Sequence, residues 1–263
     1  MPDLRDPLRD ALREALVHGA VFLPRARKRA LDRWLRGREE ARKLRGADAV
    51  LLSWAKSGRT WLRLMLSRFY QVRHGLPPTA FLEYDNLKRR VREIPSVFFT
   101  HGNYLRNYTG DWTTKPAFYD KRIVFLVRDP RDVAVSQYFQ WRHRMRPWKK
   151  FLNDYPPHGT EVSLYDFVMH EEAGLRHILE FFQIWARELP RVRAAHLVRY
   201  EELRTDPAAQ LEGVLEFLGT PGKPEQIAEA VRFAAFDTMK RIEQSRTFWR
   251  SGRRLVAGRT GNP

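Results

Sequence analysis

A cationic, hydroxyl-bearing turn is the first feature of the sequence that could do chemistry. Lys56, Ser57 and Thr60 surround Gly58, on a segment that joins a short apolar run to a helical pattern. Where a strand runs into a helix, the unpaired N–H groups of the first helical turn and the helix dipole attract an anion. The turn therefore predicts a phosphate site, although an ordinary strand–helix connection has the same outline.

A second candidate for anion binding pairs Arg128 with Ser136, eight residues further on. Arg128 follows residues 123–127, the most apolar strand pattern of the chain, and Ser136 falls within the helix that an Asp-Pro pair begins. A guanidinium fork and a hydroxyl make an effective phosphate clamp. The alternative is that Arg128 pairs with a neighbouring aspartate and that Ser136 only fills a small-residue helix face.

Strand patterns that alternate with helical patterns must position these residues, and they predict an α/β fold with a central parallel sheet flanked by helices. The predicted strands are residues 49–53, 97–100, 123–127 and 196–199, and helical patterns fill 163–170, 175–189, 207–218 and 224–234. Ligands of such sheets bind outside the carboxyl ends of the strands, which is where both candidate sites lie.

Residues 1–46 are predicted to form a basic helical arm, ahead of an α/β domain at 47–263. The apolar residues of the arm recur at helical spacing: Leu4, Leu8, Leu12 and Leu16. A cluster of arginines with Lys28 lies beside Trp34. Two interpretations stay open, a helical arm packed on the main domain and a helix lying on an anionic membrane surface.

Composition narrows the classes of function. The 263 residues include 48 Lys and Arg against 31 Asp and Glu, a net charge of +17 that favours polyanionic partners. The absence of cysteine excludes disulfides and thiolate chemistry. No apolar run approaches the ~20 residues of a membrane span, and the amino end lacks a signal-peptide pattern, so we expect a cytoplasmic protein. The histidines show no metal-ligand spacing, and we predict no metal.

Taken together, the two candidate segments resemble those of the sulfotransferase family, whose donor is 3′-phosphoadenosine 5′-phosphosulfate. Residues 55–61 read Ala-Lys-Ser-Gly-Arg-Thr-Trp, similar to the family's phosphosulfate loop Pro-Lys-Ser-Gly-Thr-Thr-Trp. Residues 128–136 read Arg-Asp-Pro-Arg-Asp-Val-Ala-Val-Ser, similar to its 3′-phosphate motif. The resemblance covers roughly residues 49–245 and implies a P-loop-like single domain.

The resemblance also implies roles in donor binding. Lys56 would contact the phosphosulfate oxygens, and Trp61 would lie near the adenine. The other implied contacts are Ser57, Gly58, Arg59 and Thr60 around the 5′-phosphate, Arg128 and Ser136 at the 3′-phosphate, and Tyr200 and Phe236 along the adenine pocket.

His101 is the implied general base, and it would share catalysis with Lys56. It follows Thr100 at the end of the second predicted strand, as the family's base does. A neutral imidazole can take the proton of an attacking hydroxyl. Without the resemblance, a lone histidine after Phe98 and Phe99 is more often a hydrogen-bonded core residue.

Four departures from the family pattern stand out. Ala55, Arg59 and Asp129 replace the usual Pro, Thr and Asn. The family also supplies a late Arg-Lys-Gly segment that closes on the 3′-phosphate, and we expect this segment to be incomplete before Pro263. Arg250-Ser251-Gly252 is either a stand-in for it or part of a basic tail.

The predicted activity is transfer of a sulfonyl group to a hydroxyl or amine of a small-molecule, carbohydrate or lipid acceptor, in a pocket framed by residues 77–95 and 142–160. One alternative is a P-loop nucleotide phosphotransferase, but the Walker A spacing is not met. The other is a basic protein that binds nucleic acid or a membrane surface. Of these partners we do not expect nucleic acid, and peripheral contact of residues 1–46 with an anionic membrane, at the inner membrane face, stays open beside the packed-arm interpretation.

Overall fold

The computed structural model describes residues 5–19 and 21–235 of the chain. This part contains four strands, β1 (Ala49–Ser53), β2 (Val97–Thr100), β3 (Arg122–Val127) and β4 (Ala194–Arg199). Its α-helices are α1 (Arg5–Gly19), α2 (Arg25–Gly46), α3 (Arg59–His74), α4 (Leu105–Thr109), α5 (Pro130–His143), α6 (Pro147–Leu152), α7 (Leu164–Met169), α8 (Leu175–Glu188), α9 (Tyr200–Thr205), α10 (Pro207–Phe217) and α11 (Pro224–Phe233).

The chain divides into two compact units. The sheet unit comprises, among the described residues, 46–99, 121–128 and 193–235, and the helical unit comprises 5–19, 21–45, 100–120 and 129–192. The first unit carries the sheet with α3, α9, α10 and α11, and the second carries the remaining helices.

The sheet has the strand order β2-β1-β3-β4, so consecutive strands are not always neighbours. β1 runs parallel to β3 with Val50 opposite Ile123, and β3 runs parallel to β4 with Arg122 opposite Ala194. All five residues of β1 are buried, as expected for an apolar strand covered on both faces. The predicted α/β class with a central parallel sheet is confirmed.

Helix α3 packs the core of the sheet unit through an apolar face. Its side chains Leu62, Met65, Leu66 and Phe69 recur at helical spacing and are fully buried. The Arg68 guanidinium donates to the Glu229 carboxylate at 3.0 Å and so joins α3 to α11. The helix that begins beside the candidate phosphate turn is therefore fixed along its length.

A buried carboxylate organises the helical unit. The side chain of Asp32 on α2 is 1% exposed and accepts hydrogen bonds from Arg13 of α1 at 2.6 Å, from Arg36 at 2.9 Å, and from the indole of Trp148 on α6 at 2.8 Å. Burial alone would raise the pKa of Asp32, but these donors hold it below its ordinary value. This ionic network joins α1, α2 and α6.

The apolar stripe predicted for the amino-terminal arm faces outward. Leu8, Leu12 and Leu16 on α1 are 61%, 55% and 61% exposed, while Val17 on the same helix is 1% exposed. After α1, Val21 and Phe22 are more than four-fifths exposed. Leu4 lies outside the described residues. The periodicity is therefore real, but in the described part its leucines are not core residues.

Candidate active site

The 54–58 loop, between β1 and α3, has the backbone geometry of an anion site. Lys56 has φ 69° and Gly58 has φ 94°, both in the left-handed region. For a residue other than glycine this conformation costs roughly 1 kcal/mol or more, so the surrounding structure must hold it. Left-handed residues in such a turn direct successive N–H groups toward one concave side, which is where anions bind.

Two further features of the start of α3 favour the binding of an anion. Gly58 is its N-cap, no side chain caps it, and its first turn contains no acidic residue. The Ser57 hydroxyl is fully buried and, among the described residues, has no hydrogen-bond partner. Leaving such a group unpaired costs about 1–3 kcal/mol, and a phosphate oxygen would satisfy it. The residues present therefore fit the phosphate end of the expected donor.

Arg128 lies against this loop. It follows β3 directly, and its Nη1 donates to the backbone carbonyl of Lys56 at 3.1 Å. Its guanidinium also lies 4.3 Å from the centroid of the Tyr200 ring, a cation–π distance. Two motifs that are 72 positions apart in the sequence are thus joined in the sheet unit.

Two aromatic rings flank the loop. A Cβ at Gly58 would lie 2.6 Å from Cδ2 of Tyr200, so position 58 needs glycine for space as well as for its backbone angle. The Trp61 indole meets Tyr200 edge-on at 6.2 Å, and its Nε1 donates to the carbonyl of Ala234 at 2.9 Å. The structure therefore brings Lys56, Gly58, Trp61, Arg128 and Tyr200 together.

Three further residues predicted to bind the sulfonyl donor lie either in the first turn of α3 or outside the described part of the chain. Arg59 and Thr60 occupy the first turn of α3, half-buried and exposed respectively. Phe236 lies outside the described residues, as does the Arg250-Ser251-Gly252 segment.

His101 and Ser136 belong to the helical unit. His101 is the first residue after β2 and is half-buried. The turn that carries it is held by Thr100, whose hydroxyl accepts from the backbone N–H of Gly102 at 2.8 Å. Ser136 is half-buried on α5, a helix capped by the Asp129 carboxylate. The catalytic role of His101 and the phosphate role of Ser136 remain predictions.

Asp129 is the helix cap that the sequence predicts. It accepts from the backbone N–H of Arg131 at 2.9 Å and from the Arg131 guanidinium, and these hydrogen bonds lower its pKa to about 2. The aspartate that replaces the family's asparagine therefore stays ionised, with Arg131 balancing its charge.

A small cavity in the helical unit was not anticipated from the sequence. Two basic side chains, Arg106 and Lys115, line it. They lie in a stretch rich in Asn, Thr and Gly, where hydrophobic periodicity gives no signal. Two cations flanking Trp112 are the only clue that could have drawn attention to it.

Metal binding and membrane insertion find no support in the described residues. Among them, no group of His, Asp and Glu is arranged to hold a metal ion. None of the described helices is long and apolar enough to cross a membrane.

Comparisons with known proteins agree with this geometry. The sequence profile of the sulfotransferase domain matches residues 47–254. Human sulfotransferase 2A1 is 24% identical over 219 residues, which cover 77% of this chain and 70% of that protein. Cytosolic sulfotransferase 1 of Arabidopsis thaliana is 24% identical over 235 residues, which cover 76% of this chain and 66% of that protein.

A solved structure shows the same fold. A retinol dehydratase, crystallised with androsterone and the inactive cofactor PAP, superposes with a TM-score of 0.52 at 15% identity, covering 86% of this chain and 76% of that one.

The chain belongs to the sulfotransferase family. It is an enzyme that transfers a sulfonyl group from 3′-phosphoadenosine 5′-phosphosulfate to an acceptor. The predicted family, fold and enzyme class are confirmed, and the phosphotransferase alternative is not favoured.

Proposed function

We propose that the 54–58 loop and the start of α3 hold the 5′-phosphosulfate of the donor, and that Arg128 with Ser136 holds its 3′-phosphate. The hydrogen bond from Arg128 to the Lys56 carbonyl carries this proposal, because it couples the two phosphate motifs directly. The buried Ser57 hydroxyl and the left-handed backbone at Lys56 and Gly58 support it. Trp61 and Tyr200 supply the aromatic surface for the adenine.

The proposed chemistry is a single displacement at sulfur. His101 takes the proton of an acceptor hydroxyl or amine as its oxygen or nitrogen bonds to sulfur. The bond between sulfur and the bridging oxygen breaks, and its electron pair stays on the departing 5′-phosphate. The Lys56 ammonium and the N–H groups at the start of α3 stabilise that charge, as donors do in an oxyanion hole. No metal takes part in this scheme.

The proposal is tested with the reaction's own nucleotide product. Calorimetry should show tighter binding of 3′-phosphoadenosine 5′-phosphate than of AMP or ATP. Lys56→Ala should lower turnover about 10²–10³-fold. Equal affinity for AMP would refute the assignment of the 3′-phosphate site, and inhibition by EDTA that Mg²⁺ reverses would favour a phosphotransferase.

For the acceptor we propose a small molecule, carbohydrate or lipid that offers a hydroxyl or an amine. A lipid acceptor would agree with the surface of α1, where Leu8, Leu12 and Leu16 are exposed. Exposed basic residues follow that stripe at Arg25 and Arg27. An apolar stripe beside cations is the composition of helices that lie on anionic bilayers, so we propose peripheral contact with the inner membrane face.

Co-sedimentation with vesicles tests this contact. The protein should bind vesicles of mixed phosphatidylserine and phosphatidylcholine more than pure phosphatidylcholine vesicles, and salt should weaken the binding. The variant Leu8→Gln/Leu12→Gln/Leu16→Gln should lose it, whereas Val72→Gln, at a 38% exposed position of α3, should not. Binding that survives the triple substitution would mean that α1 is not the membrane surface.

A further inference from the structure

The cavity in the helical unit lies next in sequence to the proposed base. Its volume is about 10 Å³, the space of roughly one water molecule, so it suits a compact terminal group and not a ring. The residues that line it are Gly102, Leu105, Arg106, Thr109, Asp111, Thr114, Lys115, Ala117 and Phe118. Gly102 directly follows His101 and has φ 67°, so the turn that carries the base also forms a wall of the cavity.

The two cations of this cavity are engaged only by neutral groups. The Arg106 guanidinium stacks on the Trp112 ring at 4.6 Å, and its buried Nε makes no hydrogen bond within the described part of the chain. The Lys115 ammonium donates to the backbone carbonyls of Asp111 and Trp112 at 3.3 and 2.9 Å. Among the described residues, neither cation forms a salt bridge.

The nearby carboxylates offset the charge of this pair only in part, because the pKa of each cation stays below its ordinary value. Asp111 is itself one of the residues that line the cavity. The Glu188 carboxylate already accepts hydrogen bonds from the backbone N–H of Lys115 and from the Tyr119 hydroxyl, both at 2.7 Å. Burial lowers the pKa of Arg106 and of Lys115, and the charge of Arg106 lowers that of Lys115 further, while the charges of Glu188 and Asp111 raise the pKa of Lys115 without cancelling the decrease. The other charged groups that act on Arg106 are Glu172, Arg33, Glu180 and Asp154.

We propose that the acceptor carries a carboxylate, which binds in this cavity between Arg106 and Lys115. The inference rests on the proposed function, because it takes His101 as the base. A carboxylate held there would form the direct salt bridge that, among the described residues, neither cation makes. It also anchors the acceptor one residue from the base, so the substrate class is a hydroxy or amino acid-like molecule rather than a neutral alcohol.

Two probes of nearly equal shape test this class, 4-hydroxyphenylacetate and its neutral amide 4-hydroxyphenylacetamide. Binding is measured by calorimetry with 3′-phosphoadenosine 5′-phosphate already bound. The acid should bind about tenfold more tightly than the amide. Arg106→Gln and Lys115→Gln should each remove most of this preference, and Arg106→Lys should keep part of it. Arg187→Gln, an exposed substitution in the same unit with the same change in charge, should leave the preference intact.

Each failure has a distinct signature. If the nucleotide itself does not bind, the proposed function fails, and the carboxylate inference fails with it because it rests on that function. If the nucleotide binds but the acid and the amide bind equally, or neither binds at millimolar concentration, the carboxylate inference alone is overturned. A preference for the acid that survives both glutamine substitutions overturns it as well.

Discussion

The two units of the molecule use charge in opposite ways. In the sheet unit, the charged groups of the candidate site lie at the ends of strands, and Arg128 and Tyr200 meet the 54–58 loop directly. In the helical unit, charge is buried between helices, and Asp32 receives three donors to hold α1, α2 and α6 together. Parallel strands bring distant motifs to one edge of a sheet, whereas in the helical unit a buried polar network fixes how three of the helices meet.

This contrast predicts that nucleotide binding and proton transfer can be impaired separately. Under the proposed function, the sheet unit provides most donor contacts and the helical unit provides the base. Substitutions in the two units should therefore change different measured constants.

The largest effect is expected at the base. His101→Ala should lower kcat about 10²–10⁴-fold, because proton transfer is lost, while the dissociation constant for 3′-phosphoadenosine 5′-phosphate stays nearly unchanged. Steady-state kinetics and calorimetry on one preparation measure both. His158→Ala, at an exposed position of the same unit, is the control. A loss of activity below about tenfold would place the base elsewhere.

At the end of β3, substitution of Arg128 is expected to change nucleotide binding. Arg128→Ala should weaken binding of 3′-phosphoadenosine 5′-phosphate about ten- to hundredfold, the equivalent of one charge-assisted contact, with little change in AMP affinity. Arg131→Ala removes an equally basic side chain that is 82% exposed, and it should have a much smaller effect. If both substitutions weaken binding alike, only the general positive field matters.

Substitutions at two glycines distinguish the effect of backbone strain from the effect of the contact with Tyr200. Gly58→Ala and Gly75→Ala both place a side chain at positive φ, but only the Cβ at Gly58 meets Tyr200, since nothing lies within 4 Å at Gly75. Gly75→Ala should lower the free energy of unfolding by roughly 1 kcal/mol, and Gly58→Ala should lower it by about 1–3 kcal/mol more, because its side chain also clashes with Tyr200. Gly58→Ala alone should also weaken nucleotide binding, by about tenfold, as overpacking displaces the ring. Nucleotide affinity that is equal in the two variants would argue against a role for Tyr200.

The smallest effect on binding is expected from the ionic network. Asp32→Ala should lower the free energy of unfolding by about 1.5–3 kcal/mol and leave nucleotide affinity unchanged. Asp10→Ala, whose side chain is 57% exposed, should cost less than about 1 kcal/mol. Urea titrations measure both variants. Weakened nucleotide binding in Asp32→Ala would show that the two units do not act separately.

The Asp32 carboxylate should make the free energy of unfolding depend on pH, and the direction of that dependence follows from its lowered pKa. The folded-state pKa of Asp32 lies below its ordinary value of 3.8, so its contribution to stability is complete above that pH and is lost as the pH falls through the folded-state pKa. Wild type and Asp32→Ala should therefore converge in stability in acid. A difference that persists well below pH 3.8 would contradict this.

The sequence predicts the strands of this fold well, because short apolar runs bounded by polar and turn residues, such as residues 49–53, are typical of buried strands. It also predicts Lys56 and Arg128, since strand ends and helix starts are local features with an established chemistry. It cannot predict that Tyr200 stacks on Arg128, because that contact depends on how α9 leaves the neighbouring strand. Periodicity gives α1 an apolar stripe but does not say what covers it.

The helical unit was harder to anticipate for a related reason. Arg106 and Lys115 lie on a short helix and an irregular segment, where neither a period of two nor one of 3.6 can be recognised. Asp32 appears in the sequence as one of many charges on a basic helix. Only its 1% exposure and its three donors distinguish it.

The order of strands in the sheet bears on how the protein is made. Val50 pairs with Ile123, and Arg122 pairs with Ala194, so each parallel pairing closes a loop of more than 70 residues. Such long-range pairings are slow to form during folding. A chain emerging from the ribosome has no partner for the outer side of β3 until β4 is synthesised, and Tyr200 follows one residue later. The anion site therefore cannot be complete before β4 and Tyr200 have been synthesised, and a ligand that binds only the finished site would draw the nascent protein toward its native state.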